Sequence, residues 1–593
     1  MRIILTVLFL SFFSWSQAQN PALAKNYFDQ GEFDKALVSY RNLSNAQPGR
    51  IDYFLGMIHS LQQLENYEEA EKLMEARLRQ QQRHPQLYVE LGHNFALQNK
   101  EEKALENYQK AILAIEENEH AAYPIATTFQ KYNLLEEAAA SLEKAMSLNT
   151  SRDYSIQLAQ IYGEQGKLEK MFEAYLNVIE RNENFKNTAQ RYFSLYITED
   201  PANEANDIFR KTLLKRSQQS QLLLYNELLS WLFIQQKEYG KALVQERAIH
   251  RRNPESLNRM IDLGTIAMNE KDYETAQNAI HYIIEHATTK ALLLQANQLL
   301  LQIDIELATP DKYAEIQKKF QDLITQFGTG SDTHSLQIAY NHFLAFDMDE
   351  KQQAISNLRA MLDQRMNPFQ EARIKMELAD ILVADEKFNQ ALIYYSQIQS
   401  KIQNDILAQE ARFKVARTSY FKGDFDWALT QLDVLKKSTS QLIANDALQL
   451  SLLITDNSLE DSTQTALKKY ARADLLNIQE KNQQAIDVLN EILLEHPGSS
   501  IADEALLLQG KIFEKIGEYA KAEENYLKII QYHSYDILAD DALFRLGTIY
   551  QYHLNEPDKA KMYYEKIIFE HADSIFFVEA RKRYRMLRDN LIN

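Results

Sequence analysis

A small residue returns along this chain at a fixed interval. Ala36, Ala70, Ala104, Ala138, Met171 and Ala205 are spaced by 34, 34, 34, 33 and 34 residues, and Ala242 and Ala276 follow after 37 and 34. A weak match at Ala314 comes next. Ala354, Ala391, Ala428, Ala485, Ala522 and Ala560 continue the series in steps mostly of 37 to 40, with one of 57 after Ala428. One closed core does not impose such a period; a structural unit stacked on copies of itself does.

The stretch "YVELGHNFALQNKEEKALENYQKAI" (88–112) shows what one period contains. Two apolar-periodic helical runs are divided by Gln98-Asn99-Lys100. Antiparallel helices approach to about 8 Å only where one offers a small side chain. Gly92 and Ala104 meet that need, and Tyr88, Phe95 and Tyr108 fill the space above and below. Gly31, Gly166, Gly423 and Gly517 fall between paired runs, where a left-handed C-cap is expected. A lone hairpin of this kind cannot bury both faces and must stack on the next.

These residues resemble the tetratricopeptide repeat: Tyr88, Leu91, Gly92 and Phe95 on the first helix, and Ala104, Tyr108 and Ala111 on the second. Partial matches run through Leu23, Ala24, Tyr27, Gly31, Phe33, Ala36, Tyr40, Leu43 and Pro48, and through Gly510, Phe513, Gly517, Tyr519, Ala522, Tyr526 and Ile529. The resemblance implies an all-α tetratricopeptide-repeat α-solenoid, a right-handed superhelix of about fifteen or sixteen helical hairpins. It also implies a concave groove, lined by the first helix of each hairpin, that binds proteins or peptides.

The spacing divides the chain. Residues 19–290 read as an N-terminal array, 291–345 as an irregular helical connector with a turn or hinge at "QFGTGSDTH" (326–334), and 346–593 as a C-terminal array with a basic capping helix. In the C-terminal array "FQEAR", "AQEAR", "ANDAL", "ADEAL", "ADDAL" and "VEAR" recur in step. Each reads as a helix start, with its acid in the first turn where the helix dipole favours negative charge. The 57-residue step predicts an extra helix at 441–456 followed by a polar loop at 456–463.

Composition excludes several classes. The formal charge of −18 argues against nucleic acid, which requires clustered cations. The chain has no cysteine, so disulfides, thiolate metal sites and cysteine nucleophiles are absent. Arg2, the apolar run Ile3–Phe13 and the small residues up to Ala18 have the pattern of a secretory signal peptide at 1–18, cleaved after Ala18. No cysteine follows the run, so a lipoprotein anchor is not expected. No later segment is apolar enough to predict a transmembrane span.

The segments 496–506 and 537–550 resemble repeats of bacterial envelope proteins: the outer-membrane-protein assembly lipoprotein of the Bam machine and the periplasmic repeat protein of the Tol-Pal system. The whole chain is similar to exported repeat proteins of Bacteroidota. That similarity implies a Gram-negative periplasm, without transferring a Bam or Tol-Pal role.

No phosphate-binding, dinucleotide-binding, nucleophile-elbow or zinc-protease motif occurs, and no catalytic site, cofactor or metal is predicted. His281 and His286 are five residues apart and diverge on a helix. His496, His533 and His571 are 37 and 38 residues apart and read as a ladder of helix C-caps. The 32 tyrosines and 27 phenylalanines read mainly as core, and Trp427 as exposed.

The expected function is a non-enzymatic periplasmic scaffold or adaptor that holds protein or peptide partners, envelope proteins among them, in its concave groove. The alternatives are a regulatory subunit of an outer-membrane assembly, secretion or gliding machine, and a small-ligand binder or enzyme with its site in 291–345. The register places Val89, His93, Ala96, Leu506, Lys511 and Glu514 in the groove. Arg581, Lys582, Arg583, Arg585 and Arg588 form a basic C-terminal helix that caps the array and offers contact with an acidic partner or an anionic surface. Ser462 and Ser574 lie in three-residue sequences that resemble the O-glycosylation signal of Bacteroidota.

Overall fold

The chain turns back on itself where one residue takes the left-handed backbone conformation. Gly31, Gly166, Gly423 and Gly517 do so with φ between 71° and 80°, as the sequence predicts. Equivalent turns elsewhere use Glu65, Asn99, Asn133, Lys237, Lys271, Asp349, Glu386, Glu480 and Asn555, with φ between 52° and 64°. Lys100 N–H donates to the Phe95 carbonyl at 3.0 Å and Asn99 N–H to Ala96 at 2.9 Å. These bonds satisfy carbonyls that the ending helix leaves open.

The computed structural model describes residues 20–80, 84–200, 203–254, 256–403, 405–437, 440–458, 463–533 and 537–590. The signal-like segment 1–18 and Ser462 lie outside them. Among the described residues there is no strand. Contacts divide the chain into a first unit, Met1–Ala279, and a second, Ile280–Asn593.

The first hairpins are α1 (Pro21–Asp29) with α2 (Phe33–Ala46), α3 (Ile51–Gln63) with α4 (Tyr67–Gln80), and α5 (Gln86–Ala96) with α6 (Glu101–Glu117). They are followed by α7 (Ala122–Lys131) with α8 (Leu135–Leu148), α9 (Ser155–Glu164) with α10 (Leu168–Arg181), and α11 (Lys186–Phe193) with α12 (Glu204–Gln219). Next come α13 (Leu223–Gln235) with α14 (Tyr239–Arg252), and α15 (Asn258–Asn269) with α16 (Tyr273–His286), which ends past the division between units.

The second unit continues with α17 (Lys290–Glu306) and α18 (Tyr313–Phe327), α19 (His334–Phe346) and α20 (Lys351–Leu362), and α21 (Pro368–Ala384) and α22 (Phe388–Lys401). After α23 (Ile406–Phe421) and α24 (Phe425–Leu435) comes an unpaired helix, α25 (Gln441–Asp456), at the bounds the sequence predicts. The last hairpins are α26 (Thr465–Ile478) with α27 (Asn482–Glu495), α28 (Ala502–Lys515) with α29 (Tyr519–Tyr532), and α30 (Ala539–Tyr552) with α31 (Pro557–Glu570), closed by α32 (Phe577–Asn590). His496, His533 and His571 are the C-caps of α27, α29 and α31.

The periodic marker is a packing residue. All its members from Ala36 to Ala560 are buried except Ala314, which is exposed on α18. That hairpin packs through Ile316 and Phe320 instead, which is why its repeat signal is weak. The stretch 291–345 is thus built of full helices, and its turn is tied: Thr333 Oγ1 donates to the Gly328 carbonyl at 2.7 Å.

Close approach works as the small residues require. A Cβ on Gly92 would lie 2.4 Å from the Tyr108 ring and 3.0 Å from the Ala104 carbonyl. Gly510 and Tyr526, and Gly547 and Tyr564, stand in the same relation, each at 2.5 Å. Elsewhere aromatics fill the gap: Phe172, Phe193 and Phe209 pack together in the first unit, Phe172 edge-on to Phe193 and the other pairs tilted, with Trp231 against Phe193 and Phe209.

Candidate partner-binding groove

In the first unit, three successive hairpins bring charged side chains together on their first helices. Glu90 on α5 is almost fully buried. Its carboxylate lies 3.1 Å from His59 Nε2 on α3 and 3.3 Å from Lys131 Nζ at the end of α7, and it accepts the Tyr132 hydroxyl. His93 stacks on Tyr132 with ring centroids 3.7 Å apart.

Burial alone would raise the Glu90 pKa. The His59 hydrogen bond and charge, the Lys131 charge and the Tyr132 hydroxyl outweigh it and bring the value down to about 2. A carboxylate held that far below neutrality is a poor general base. Burial also pushes the Lys131 ammonium down and the Tyr132 phenol far up. The cluster is a clamp joining three repeats, one face of which is His93.

The second unit carries an open groove. Three adjoining cavities of about 620, 730 and 710 Å³ follow one another along it. His342, Asp380 and Glu410 line both the first and the second; Phe413, Arg417 and Asp446 line both the second and the third. The walls are mainly first helices, α17, α19, α21, α23, α26 and α28. The unpaired α25 buries Ile443, Ala447, Ser451 and Ile454 and leaves Leu442, Leu448 and Leu452 exposed; Leu442 lines the second cavity and Leu452 the third.

The groove floor has a register. Asp380, Arg417, Asp474 and Lys511 each stand eleven residues before the marker alanine of their hairpin (Ala391, Ala428, Ala485 and Ala522), and all four line the cavities. His59 and His93 hold the same position before Ala70 and Ala104. The side chains alternate in sign along the second unit. Asp380 accepts from Tyr395 at 2.5 Å and from Lys414 at 2.6 Å. Burial raises the Asp474 pKa, opposed by the Arg417 and Lys511 charges; burial and the Arg545 charge lower that of Lys511.

Acids outnumber cations around the third cavity. Asp446, Asp456, Asp474, Glu504, Asp540 and Asp541 face Arg417 and Lys511. Burial and the neighbouring Asp503 raise the Glu504 pKa. The rim is apolar: Ile537 and Ile575 are about four-fifths exposed, at 80% and 83%.

The predicted groove residues divide accordingly. His93 and Ala96 reach the surface of α5, and Lys511 lines the third cavity. Val89 and Leu506 do not line a groove: they are 0% and 6% exposed, packed between helices, since a first helix has a neighbour on each side and only a narrow strip faces outward. Glu514 is partly buried and structural, accepting the Tyr526 hydroxyl and Arg545 Nη1. Glu90, His59 and Lys131 are not among the predicted groove residues; applying the His93 register to the preceding repeat finds His59.

The basic helix α32 also divides. Arg583 turns inward, donating to Glu579 at 2.8 Å, Thr548 at 3.1 Å and Tyr564 at 3.2 Å, with its guanidinium 4.9 Å from the Phe544 ring centroid. It is a packing residue of the cap. Arg581, Lys582, Arg585 and Arg588 are exposed. Ser574 Oγ accepts the Phe576 N–H at 3.0 Å, securing the entry to α32.

Among the described residues, no cluster of three or more His, Cys, Asp or Glu side chains is arranged to hold a metal ion, and no helix is long and apolar enough to cross a membrane. No curated protein matches this sequence. Solved structures show low similarity. A chain of the Naa15/Naa10 complex bound to HypK-THB is 12% identical, with 96% of each chain covered and a TM-score of 0.30. A tetratricopeptide repeat protein from Parabacteroides merdae is 16% identical over 49% of this chain and 96% of its own, with a TM-score of 0.24. A chain of the APC/C hetero-tetramer Cut9-Hcn1 is 13% identical over 95% of each, with a TM-score of 0.22. Tetratricopeptide-repeat models match residues 153–185, 504–534 and 541–574. Those segments are tetratricopeptide repeats, and the fold is the all-α stacked-hairpin architecture of tetratricopeptide-repeat solenoids, a scaffold suited to protein–protein interaction.

Proposed function

We propose that this protein is a non-enzymatic scaffold that holds a polypeptide partner in the groove of its second unit. The observation that carries the reading is the continuity of that groove: three cavities share lining residues, and one register of the first helices supplies a charged floor. An open trough of this kind suits an extended or helical segment and gives no enclosed chamber for a reaction.

The signal-like segment 1–18 and the absence of cysteine support export to the periplasm, with cleavage after Ala18. There the partner is an envelope protein, and the role is in assembly or secretion. The exposed cations of α32 offer a second contact, with an acidic partner or anionic surface.

Proximity labelling in the native cell, comparing wild type with a Leu442→Glu groove variant, tests this. The expected result is a set of envelope proteins labelled by wild type and lost with the variant. Identical labelling by both forms overturns the groove as the binding surface.

A further inference from the structure

We propose that one proton shared by Asp503 and Glu504 latches the inserted helix α25 to α28, so that this wall of the groove is fastened in acid and released as pH rises. The latch rests on its own geometry; only its consequence for a partner rests on the groove reading above.

The latch joins a helix end to a helix start. Asn457 is the C-cap of α25, and Asp503 and Glu504 stand in the first turn of α28. Asn457 Nδ2 donates to Glu504 Oε1 at 3.1 Å and to the Leu453 carbonyl at 2.9 Å. That commits the amide donors and leaves an excess of acceptors. Asp503 and Asn457 are each 6% exposed. Asp503 Oδ1, Glu504 Oε2 and Asn457 Oδ1 are sealed from solvent without a hydrogen-bond partner among the described residues. Leaving such oxygens unmet is costly, and two ionised carboxylates in contact repel. A proton on Glu504 meets both difficulties. It needs no room, removes one charge, and turns the carboxyl into a donor toward Asp503, which lies within hydrogen-bonding reach. Burial, then the Asp503 hydrogen bond and charge, raise the Glu504 pKa and outweigh the Asn457 bond, which favours the anion.

Among the described residues no cation pairs with either acid. Glu504 lines the third cavity with Arg417 of α23, Asp446 and Asp456 of α25, Tyr470 and Asp474 of α26, Lys511 of α28, and Asp540 and Asp541 of α30. Tyr420 of α23 also feels the Glu504 charge. Arg417 is held 3.9 Å from Asp474. Lys511 answers to Asp541, Glu514 and Asp474. On α24, Asp433 and Lys436 pair with each other; on α27, Glu491 and Glu495 pair with Lys469 of α26; on α29, Glu524 pairs with Lys528. Acids therefore dominate around the pair, and the proton is what holds it together.

When the proton passes to solvent through the cavity, the O–H electron pair stays on Glu504 and two carboxylates face each other. The end of α25 is then freed. That helix supplies Leu442 to the second cavity and Asp446, Leu452 and Asp456 to the third, so the groove loosens with it. A carboxyl group whose folded pKa lies above the ordinary 4.5 stabilises fully below that value and loses its effect as pH rises through the folded one.

The test is hydrogen exchange of the full chain, with rates corrected for the intrinsic effect of pH. Protection of residues 449–457 should fall by up to about tenfold per pH unit from about pH 6 to about pH 8.5, the slope that one released proton gives. Protection of α21 should hold steady. Glu504→Gln, a neutral donor of the same shape, should keep α25 protected across the range. Infrared spectra of wild type should show the carbonyl band of a protonated carboxyl at neutral pH, fading over the same range and missing from Glu504→Gln.

Flat protection of α25 in wild type, or the wild-type pH dependence in Glu504→Gln, overturns the latch. Should that variant fail to fold, the infrared titration of wild type decides alone, and the absence of a fading band overturns it. None of these readouts uses a partner, so their failure leaves the groove reading standing, and identical partner labelling by wild type and Leu442→Glu leaves the latch standing.

Discussion

Arg417 Nη2 lies 3.9 Å from Asp474 Oδ2, although the two are separated in sequence by a whole inserted helix. Each occupies the same register position in its own hairpin, so the groove floor passes from α23 to α26 as if α25 were not there. The pair is half exposed on the arginine side, and its worth is modest. Arg417→Glu should lower the stability of the second unit by about 1 kcal/mol through like-charge repulsion, and adding Asp474→Arg should recover most of it. Denaturant unfolding of the two single variants and the double variant checks this; additive losses would show that the residues are not coupled.

Gly92 and Gly510 have no room for a methyl group. Alanine at either position collides with a buried tyrosine ring, and overpacking of this kind costs about 1–3 kcal/mol. A second change that shrinks the ring, Tyr108→Leu beside Gly92→Ala, should relieve part of the loss. Thermal unfolding of the single and paired variants gives the comparison.

Glu90 predicts an acid limb for the first unit. Its pKa in the folded chain, about 2, is below the ordinary 4.5 of a glutamate. A depressed folded pKa stabilises fully above the ordinary value and loses its effect as pH falls from there through the folded one. Stability of the first unit should therefore decline between about pH 4.5 and pH 2. Glu90→Gln should cost about 2–3 kcal/mol at neutral pH, because Lys131 and His59 lose the charge they share. The variant should also lose this part of the pH dependence. Circular dichroism during acid titration of both forms is the measurement, and matching acid limbs would refute the assignment.

Arg583 and Arg585 are neighbours on α32 with opposite fates. Arg583→Ala removes three hydrogen bonds and the cover over Phe544, and should loosen the cap by about 1–2 kcal/mol. Arg585→Ala should leave stability unchanged. Hydrogen exchange across α30 to α32 distinguishes the two.

The hairpin register was legible because one packing rule repeats it. Two helices need a small residue where they cross, and a buried alanine at the same point of each unit satisfies that need. The extra helix α25 showed as a break in the count. Sidedness was harder to read. Leu506 and Lys511 are both residues of α28, yet one is sealed between neighbours and the other faces the groove, because five residues turn a helix through about 140°. The Glu90 clamp was hidden for another reason: His59 and Lys131 lie 31 and 41 residues away, and only stacking brings them together. Ala314 misled because its hairpin packs through different residues.

Nine of the hairpin bends place asparagine, aspartate, lysine or glutamate in a backbone shape that suits glycine better. Each such bend carries a small conformational penalty held in check by the units stacked on it. In an array coupled only to nearest neighbours, that penalty is felt locally. Melting should accordingly proceed in sections rather than as one event, and exchanging these residues for glycine one at a time would act as a set of separate dials on the rigidity of the protein.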